Sequence, residues 1–231
     1  AMTGALVAFD PVAGEVKWRV PMQTPTNGGT LATAGNLVFQ GTALGDFRAY
    51  AADTGKQLWT FPAYSGILAA PMTYSIDGEQ YVAVLVGWGG VWDVSAGKLV
   101  TSKITPNISR LVVFKLGAKG QLPTPPPSVE RVLDPPPLSG TPEQLALGTK
   151  LYTNTCSVCH GASAVSGALN PDLRHSAVLG NAEAWGKIVF GGALAHNGMV
   201  AWDKQFTADQ IEAIRLYVIM RANEDKALEG K

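Results

Sequence analysis

The sequence predicts a β + α chain of two domains, and three observations support this fold class. Residues 3–116 contain short runs of Val, Leu, Phe and Tyr between Gly, Asn and Asp turns, a pattern typical of strands. Residues 141–231 instead show the apolar spacing and capping signals of helices. The intervening residues 117–140 are rich in proline and form a linker.

Composition limits the classes of function that the chain can serve. Its 231 residues are 46% hydrophobic, which is enough for two small domains with cores of their own. Lys plus Arg and Asp plus Glu both total 18, and no basic cluster stands out, which argues against nucleic acid as a partner. No apolar run approaches the roughly 20 residues of a membrane-spanning helix. We therefore expect no nucleic-acid partner and no membrane span.

One pattern occurs twice among the short predicted strands of the β domain. Residues 8–18 fit A-x-D-x-x-x-G-x-x-x-W, and residues 49–59 carry a related segment 41 residues later, with Ala51 in place of Asp10. A period near 40 residues with about four strands per repeat is typical of propeller blades. The Gly turn would let the backbone approach closely, and the Trp ring would pack flat against the next blade. The alternative is two unrelated hairpins. The predicted strands are residues 5–9, 16–20, 29–34, 37–41, 47–51, 58–61, 69–75, 81–86 and 111–116.

The linker holds seven of the 15 prolines, all between Pro123 and Pro137. Such a stretch favours extended polyproline II and acts as a semi-rigid spacer, and the alternative is a strap wrapped on a domain surface. After it, three helix starts are predicted. They are the capping box of Thr141 and Gln144 with Pro142 at the first helical position, the cap Asn181, and the capping box of Thr207 and Gln210.

Cys156, Cys159 and His160 form C-x-x-C-H, the attachment signal of a c-type haem. Two thiols at this spacing can each join one vinyl group of a porphyrin, and the next residue brings an imidazole to the iron. A structural zinc site would need four ligands, and the chain has 2 cysteines. A thioredoxin-like pair would be expected near a βαβ pattern, which the sequence does not show. We therefore predict covalent haem c with His160 as an axial ligand of its iron.

The second axial ligand should follow His160 in the chain. Met199 lies in a Gly-rich, flexible loop 39 residues later, and a loop can fold back over the ring. Met220 lies inside the last predicted helix, where methionine is usually core, and His175 is expected in an exposed loop. His196 is an alternative ligand, and so is an iron without a sixth ligand. Methionine opposite histidine would raise the reduction potential relative to two imidazoles.

Three further residues are predicted near the haem. Arg174 can pair with a haem propionate, because a guanidinium suits a carboxylate, and a solvated surface charge is the alternative. Trp185 and Trp202 can pack on the haem edge, although core packing alone explains both. Because three helices make a small core, the haem should supply much of the apolar interior, and the haem-free form should fold poorly.

The repeat and several other segments resemble dehydrogenases that depend on pyrroloquinoline quinone (PQQ). The repeat is similar to the tryptophan-docking motif of the PQQ-dependent alcohol dehydrogenases, which are eight-bladed propellers. A C-terminal haem domain after such blades resembles the quinohaemoprotein alcohol dehydrogenases. The resemblance implies a fragment of about two blades of an eight-bladed-type β-propeller, followed by an all-α domain of the class I cytochrome c type. The similar segments are residues 27–41, 66–74, 80–84, 87–91 and 109–114.

This resemblance implies residue roles as well. In cytochromes c, the carbonyl of a proline after C-x-x-C-H holds the other nitrogen of the proximal imidazole, and Pro171 occupies that place. The Gly-Met loop around Met199 is also similar. In the dehydrogenases the residue after Gly-Trp-Gly-Gly lies at the quinone, which makes Val91 a PQQ contact, with ordinary strand-end packing of Trp88 and Val91 as the alternative. Upstream blades would hold calcium and most of the PQQ.

The resemblance implies electron transfer as the function. The haem domain would accept electrons from PQQ and pass them to an external acceptor such as a copper protein, a cytochrome or a quinone. Because haem c is attached outside the bacterial cytoplasm, we expect a periplasmic protein, although no signal peptide precedes residue 3 and Ala1-Met2 reads as an engineered start. This chain alone should not oxidise alcohols. The alternatives are an assembly fragment that completes or caps a propeller on another chain or self-associates, and an enzyme acting at an open haem iron.

Overall fold

A computed structural model of the chain describes residues 3–88, 107–126, 132–166 and 170–229. These residues form two compact units, which we call the β unit (3–88 and 107–126) and the α unit (132–166 and 170–229). The predicted linker is therefore shared, because its first described part belongs to the β unit and its last part to the α unit. No helix in these described ranges is long and apolar enough to cross a membrane.

The β unit contains three antiparallel sheets, with the strand orders β1-β2, β3-β4-β5-β6 and β7-β8-β9. Every predicted strand is present. Strand β7 begins at Met72 rather than at residue 69, because Pro71 has no N–H with which to pair. The strands are β1 Gly4–Asp10, β2 Glu15–Met22, β3 Thr30–Thr33, β4 Leu37–Gly41, β5 Asp46–Ala51, β6 Gln57–Pro62, β7 Met72–Ile76, β8 Glu79–Val86 and β9 Arg110–Lys115.

The two copies of the sequence repeat have the same strand register. Ala8 pairs with Trp18 between β1 and β2, and the ladder shifts directly after Ala8. Ala49 pairs with Trp59 between β5 and β6, and the ladder shifts directly after Ala49. The repeat is therefore a repeated hairpin with the same irregularity, rather than two unrelated turns.

The hairpin turns explain why both copies need glycine at the same place. Gly14 and Gly55 have φ of 70° and 71°, a left-handed conformation that a side chain disfavours. Each donates its N–H over 2.8 Å to a carbonyl four residues earlier, that of Asp10 or of Ala51. The carboxylate of Asp10 additionally accepts the N–H groups of two turn residues, and these bonds lower its pKa. Ala51 keeps the turn without that carboxylate, because the glycine bond uses only the backbone.

The third sheet has two different faces. One face packs against the four-stranded sheet, where Val84 of β8 and Val112 of β9 are buried with Phe47 and Ile67. Successive residues of a strand alternate between faces, so the opposite face carries the other half of each strand. That face exposes large apolar side chains, and we call it the open sheet face: Met72, Tyr74, Ile76, Leu85, Leu111 and Val113.

The α unit contains four helices, and all three predicted helix starts are confirmed. Thr141 and Gln144 form a capping box, the side chain of Asn181 accepts the N–H of Ala184, and Thr207 and Gln210 form the second capping box. A π-helical turn that the sequence pattern did not predict joins the first two helices. The elements are α1 Pro142–Leu151, the π turn Tyr152–Cys156, α2 Ser157–His160, α3 Ala182–Val189 and α4 Ala208–Glu229.

Helices α1 and α4 cross at Gly148. A Cβ at this position would overlap the carbonyl oxygen of Ala213, so the two backbones touch where the glycine has no side chain. One turn further along, the rings of Tyr152 and Tyr217 pack with their centroids 4.8 Å apart. The core of the α unit is built around this crossing, and buried Trp185 of α3 joins it.

The last residues of the predicted linker are fastened to helix α4. Leu133 is 1% exposed, the ammonium of Lys226 lies 2.9 Å from the Asp134 carboxylate, and the amide of Asn223 donates to the Pro136 carbonyl over 3.0 Å. This segment, which we call the strap (residues 132–136), is thus part of the α unit. Of the two alternatives, the wrapped strap describes these residues.

Candidate haem site

The π turn and helix α2 carry the two cysteines and the histidine of C-x-x-C-H. Cys156 is buried whereas Cys159 is exposed. Burial, together with the neighbouring Cys159, raises the pKa of the Cys156 thiol to about 12. The first thiol therefore points into the core of the α unit and the second lies at its surface, so the pair spans the edge of that core.

His160 is oriented by a backbone carbonyl. Its Nδ1 lies 3.1 Å from the carbonyl oxygen of Pro171, the residue for which the resemblance implies this contact. A hydrogen bond at Nδ1 leaves Nε2 as the nitrogen that can bind a metal. Burial lowers the pKa of His160, and the Pro171 carbonyl opposes that shift only in part. Burial is the larger effect, so it favours the neutral imidazole, which is the form that binds metal ions.

The loop that contains Met199 is closed by its own backbone hydrogen bonds. The N–H of Met199 donates to the carbonyl of Leu194 over 3.2 Å, and Gly198 supplies a left-handed turn with φ of 92°. The N–H of Trp202 donates to the carbonyl of Val189 and ties the loop to the end of α3. Met199 is half-buried and packs against the same core cluster as Cys156. The loop that was predicted to be flexible is thus an organised turn. It places the Met199 thioether against the core cluster that contains Cys156.

The other candidate ligands occupy different environments. His196 is exposed on a short 3-10 turn, and His175 is half-buried at the end of another. Met220 lies inside α4 and packs against the same core cluster as Met199. Among these candidates, Met199 is the one that both lies in a loop and packs against the core cluster that contains Cys156.

Arg174 is held between two carboxylates. Its guanidinium forms two hydrogen bonds with Asp172, over 2.9 and 2.5 Å, and a third with Asp225 over 2.9 Å. Asp225 also accepts from Arg221, so the group belongs to a network of charges on α4. Burial opposes the charge of Arg174, but these carboxylates outweigh it and raise its pKa. The structure thus gives the guanidinium protein partners, and pairing with a haem propionate stays a prediction.

A buried indole nitrogen provides a test of whether the site suits a haem. Trp185 is 3% exposed, and its Nε1 has no hydrogen-bond partner among the residues that the structure describes. Buried N–H groups normally have an acceptor, and a haem propionate would supply one. Trp202 packs against the same core cluster and stacks on Phe206 with centroids 5.4 Å apart. Together with two thiols, a neutral imidazole and a nearby thioether, these residues fit a haem c.

Two side chains at this site were missed by sequence reasoning. The hydroxyl of Tyr152 and the amide of Asn170 donate to backbone carbonyls at the end of α2. Tyr152 was not predicted to have a role at this site. Its position four residues before Cys156 was the available signal, because residues at that spacing share a helix face.

Of the segment predicted at the quinone, residues 87–91, only the first two positions lie in the described β unit. Val91 is outside the described residues. Trp88, three positions earlier, is 2% exposed, and its backbone N–H donates to the Asn107 side chain over 3.1 Å. Within the described ranges no group of three or more His, Cys, Asp or Glu side chains is placed to hold a metal ion.

Two family models match the two units. Residues 1–82 match the β-propeller domain of glucose, ethanol and alcohol dehydrogenases. Residues 143–218 match the cytochrome family described as cytochrome c oxidase, cbb3-type, subunit III. The β unit is therefore part of a PQQ propeller and the α unit is a cytochrome c domain, whose cofactor is haem c.

Relatives match the chain across both units. Quinohaemoprotein alcohol dehydrogenase ADH IIB of Pseudomonas putida is 49% identical over 227 residues, which is 97% of this chain and 32% of that protein. The structure of ADHIIG from Pseudomonas putida HK5 matches with a TM-score of 0.86 and 43% identity, over 99% of this chain and 33% of the other. The Comamonas testosteroni quinohaemoprotein alcohol dehydrogenase gives a TM-score of 0.78 and 35% identity, over 96% and 32%.

The chain thus spans about a third of the length of the relatives that it matches. The match runs through the β unit, the proline-rich segment and the α unit in the order that the relatives have. Over nearly its whole length, the chain is homologous to the part of the quinohaemoprotein alcohol dehydrogenases in which the end of the PQQ propeller joins a cytochrome c domain.

Proposed function

We propose that the chain is an electron-transfer module. Its cytochrome c domain accepts single electrons from PQQ bound in an alcohol dehydrogenase propeller and passes them to an external acceptor. The observation that carries this proposal is the buried His160 imidazole, which is fixed at Nδ1 by Pro171 and follows two cysteines at haem-attachment spacing. A bound haem c supplies reversible one-electron chemistry at its iron.

The chain's own residues have separate tasks in this proposal. Cys156 and Cys159 anchor the porphyrin covalently, so the cofactor cannot dissociate. The Nε2 of His160 and the thioether sulfur of Met199 would be the protein ligands of the iron. Methionine as the second ligand keeps the reduction potential higher than a second histidine would, which suits an acceptor of electrons from a reduced quinone.

The propeller side of the proposal rests on the relatives and on the resemblance of the segment around Trp88. PQQ and calcium belong to the complete dehydrogenase, and Val91 is the one residue of this chain proposed to contact PQQ. The acceptor is proposed to be a copper protein, a cytochrome or a quinone, and the compartment to be the bacterial periplasm. Alone, the chain should show haem redox activity without alcohol oxidation.

Expression in a host that attaches haem c outside the cytoplasm tests the proposal. The purified chain should be red, retain its pigment in acid acetone, and give the pyridine haemochrome spectrum of a thioether-linked haem. A colourless product, or pigment lost to acid acetone, would contradict it. Adding PQQ, calcium, ethanol and a dye acceptor should give no turnover, and turnover would show that the chain is an enzyme by itself.

A second candidate function is assembly, and the open sheet face favours it. Six large apolar side chains stand exposed on β7, β8 and β9, with Met72 and Leu85 both more than half exposed. Exposed apolar patches commonly mark sites of protein–protein contact. The unpaired N–H and C=O groups of a sheet edge can form hydrogen bonds with a strand of another chain. The β unit would then complete a propeller on another chain or self-associate. Sedimentation velocity decides this, because a defined oligomer supports assembly and a monomer at all concentrations excludes self-association.

A further inference from the structure

Helix α2 ends at the proposed iron ligand, and its last carbonyl groups are held by side chains. The final carbonyls of a helix have no partner within the helix and need one elsewhere. Here the Asn170 amide donates to the Cys159 carbonyl over 2.8 Å. The Tyr152 hydroxyl donates to the Gly161 carbonyl over 2.9 Å and approaches the His160 carbonyl at 3.2 Å. Side chains therefore fix the backbone on both sides of His160.

The turn that follows His160 is conformationally unfavourable. Ser163 and Ala164 have φ of 61° and 62°, a region that residues with a Cβ rarely adopt. Such conformations persist only where the surrounding structure determines them. The Tyr152 hydroxyl holds the carbonyls at the start of this strained turn.

Tyr152 can fix these groups because its own position is fixed. The side chain is fully buried, and its ring packs on Tyr217 of α4 at 4.8 Å with a 37° tilt. Asn170 is also fixed through its backbone, because its backbone carbonyl accepts a hydrogen bond from the Ser166 hydroxyl over 2.8 Å. Asn170 immediately precedes Pro171, so it also locates the carbonyl that holds His160 Nδ1.

We propose that Tyr152 and Asn170 are positioning residues for the axial histidine. Tyr152 holds the peptide groups after the His160 α-carbon, and Asn170 holds the peptide group before it. Together they set the direction in which the Nε2 of His160 points. This inference rests on the proposed ligation of haem iron by His160.

The test compares three variants of the full, haem-loaded chain. Tyr152→Phe removes the hydroxyl but keeps the ring stack, and Asn170→Ala removes the amide without touching the aromatic core. Tyr217→Phe is the matched control, because it removes a hydroxyl from the same ring stack, and that hydroxyl forms none of the hydrogen bonds that hold described residues 159–164. Low-spin iron(III) EPR g-values and the midpoint potential report the orientation and strength of the axial ligands.

Tyr152→Phe and Asn170→Ala should each shift the g-values and the potential, whereas Tyr217→Phe should leave both unchanged. Identical g-values and potentials in all four proteins would overturn the inference, and so would an equal shift in Tyr217→Phe. If Tyr152→Phe takes up no haem, Asn170→Ala decides in the same way. An unmodified chain without a haem signal would instead refute the proposed function.

Discussion

The indole Nε1 of Trp18 donates to the carbonyl oxygen of Ala52 over 2.9 Å. This bond joins the hairpin of the first repeat to the turn of the second repeat, 34 residues away. The ring of Trp18 lies over Gly55, so a Cβ there would stand 2.6 Å from Cε3. The tryptophan and the glycine of successive repeats therefore form one contact, which explains why the pattern needs both residues.

Gly55→Ala should destabilise the β unit more than Gly14→Ala. Both glycines have nearly the same φ, so both variants carry the left-handed penalty of about 1–2 kcal/mol. A Cβ at Gly14 meets no atom within 4 Å, whereas one at Gly55 must displace Trp18. Overpacking of this kind adds about 1–3 kcal/mol. Urea unfolding followed by tryptophan fluorescence measures the difference, and equal unfolding midpoints would contradict the proposed Trp–Gly contact.

Gly148→Ala should destabilise the α unit even though alanine is the better helix former. Ala146→Gly, at an exposed position of the same helix, measures the propensity effect and should cost about 0.5–1 kcal/mol. Gly148→Ala should gain the same amount of helix propensity, but its added Cβ would push α1 away from the Ala213 carbonyl of α4. We expect a net loss of stability in thermal unfolding of the haem-loaded chain. A rise in melting temperature would show that the helices do not touch at this point.

The strap should stabilise the α unit through Leu133. Leu133→Ala removes a side chain that is 1% exposed, and such truncations cost about 2–5 kcal/mol. Val132→Ala alters a neighbour that is 76% exposed, and should change stability by no more than about 0.5 kcal/mol. Denaturant unfolding monitored at the haem absorbance compares the two variants. If they unfold at the same denaturant concentration, the strap does not contribute to the folded α unit.

Met199→Ala should remove the thioether from the iron. The weak far-red absorbance band of methionine-ligated iron(III) should disappear, and the reduced variant should bind carbon monoxide where the parent does not. Met220→Leu conserves volume inside α4 and should keep the band. A band that survives Met199→Ala and is lost in Met220→Leu would reverse the assignment. Carbon monoxide binding by the parent would instead indicate an open iron, as a peroxidase would need.

Much of the β unit was predictable because its signals are local. Alternation of apolar and polar residues and the glycine turns of the repeat gave all nine strands, with ends displaced by a few residues. The open sheet face was not predictable, since Leu111 and Val112 look equally apolar in the sequence. Only the sheet register shows that Val112 faces the core and Leu111 faces outward.

The haem site was predictable where chemistry fixes the spacing and less so where contacts are long-range. The thiols and His160 are read directly from C-x-x-C-H, and the capping residues locate the helices around them. The hydrogen bond from the Tyr152 hydroxyl to the Gly161 carbonyl lies at the start of a strained turn. Residue propensities do not predict this turn, because Ser163 and Ala164 adopt conformations unusual for their residue types. The ion pair of Arg174 with Asp225 joins residues 51 positions apart, beyond the range of local patterns.

The π-helical turn between α1 and α2 fixes the length of the attachment segment. Each residue of an α-helix advances the side chain by about 100° around the axis, so deleting one residue from Tyr152–Cys156 would rotate the thiols relative to α1. Anyone transplanting the haem-binding signal into another helical scaffold should therefore carry residues 142–160 as one block. A pentapeptide graft would keep the chemistry of attachment but lose the angle at which the porphyrin meets its protein.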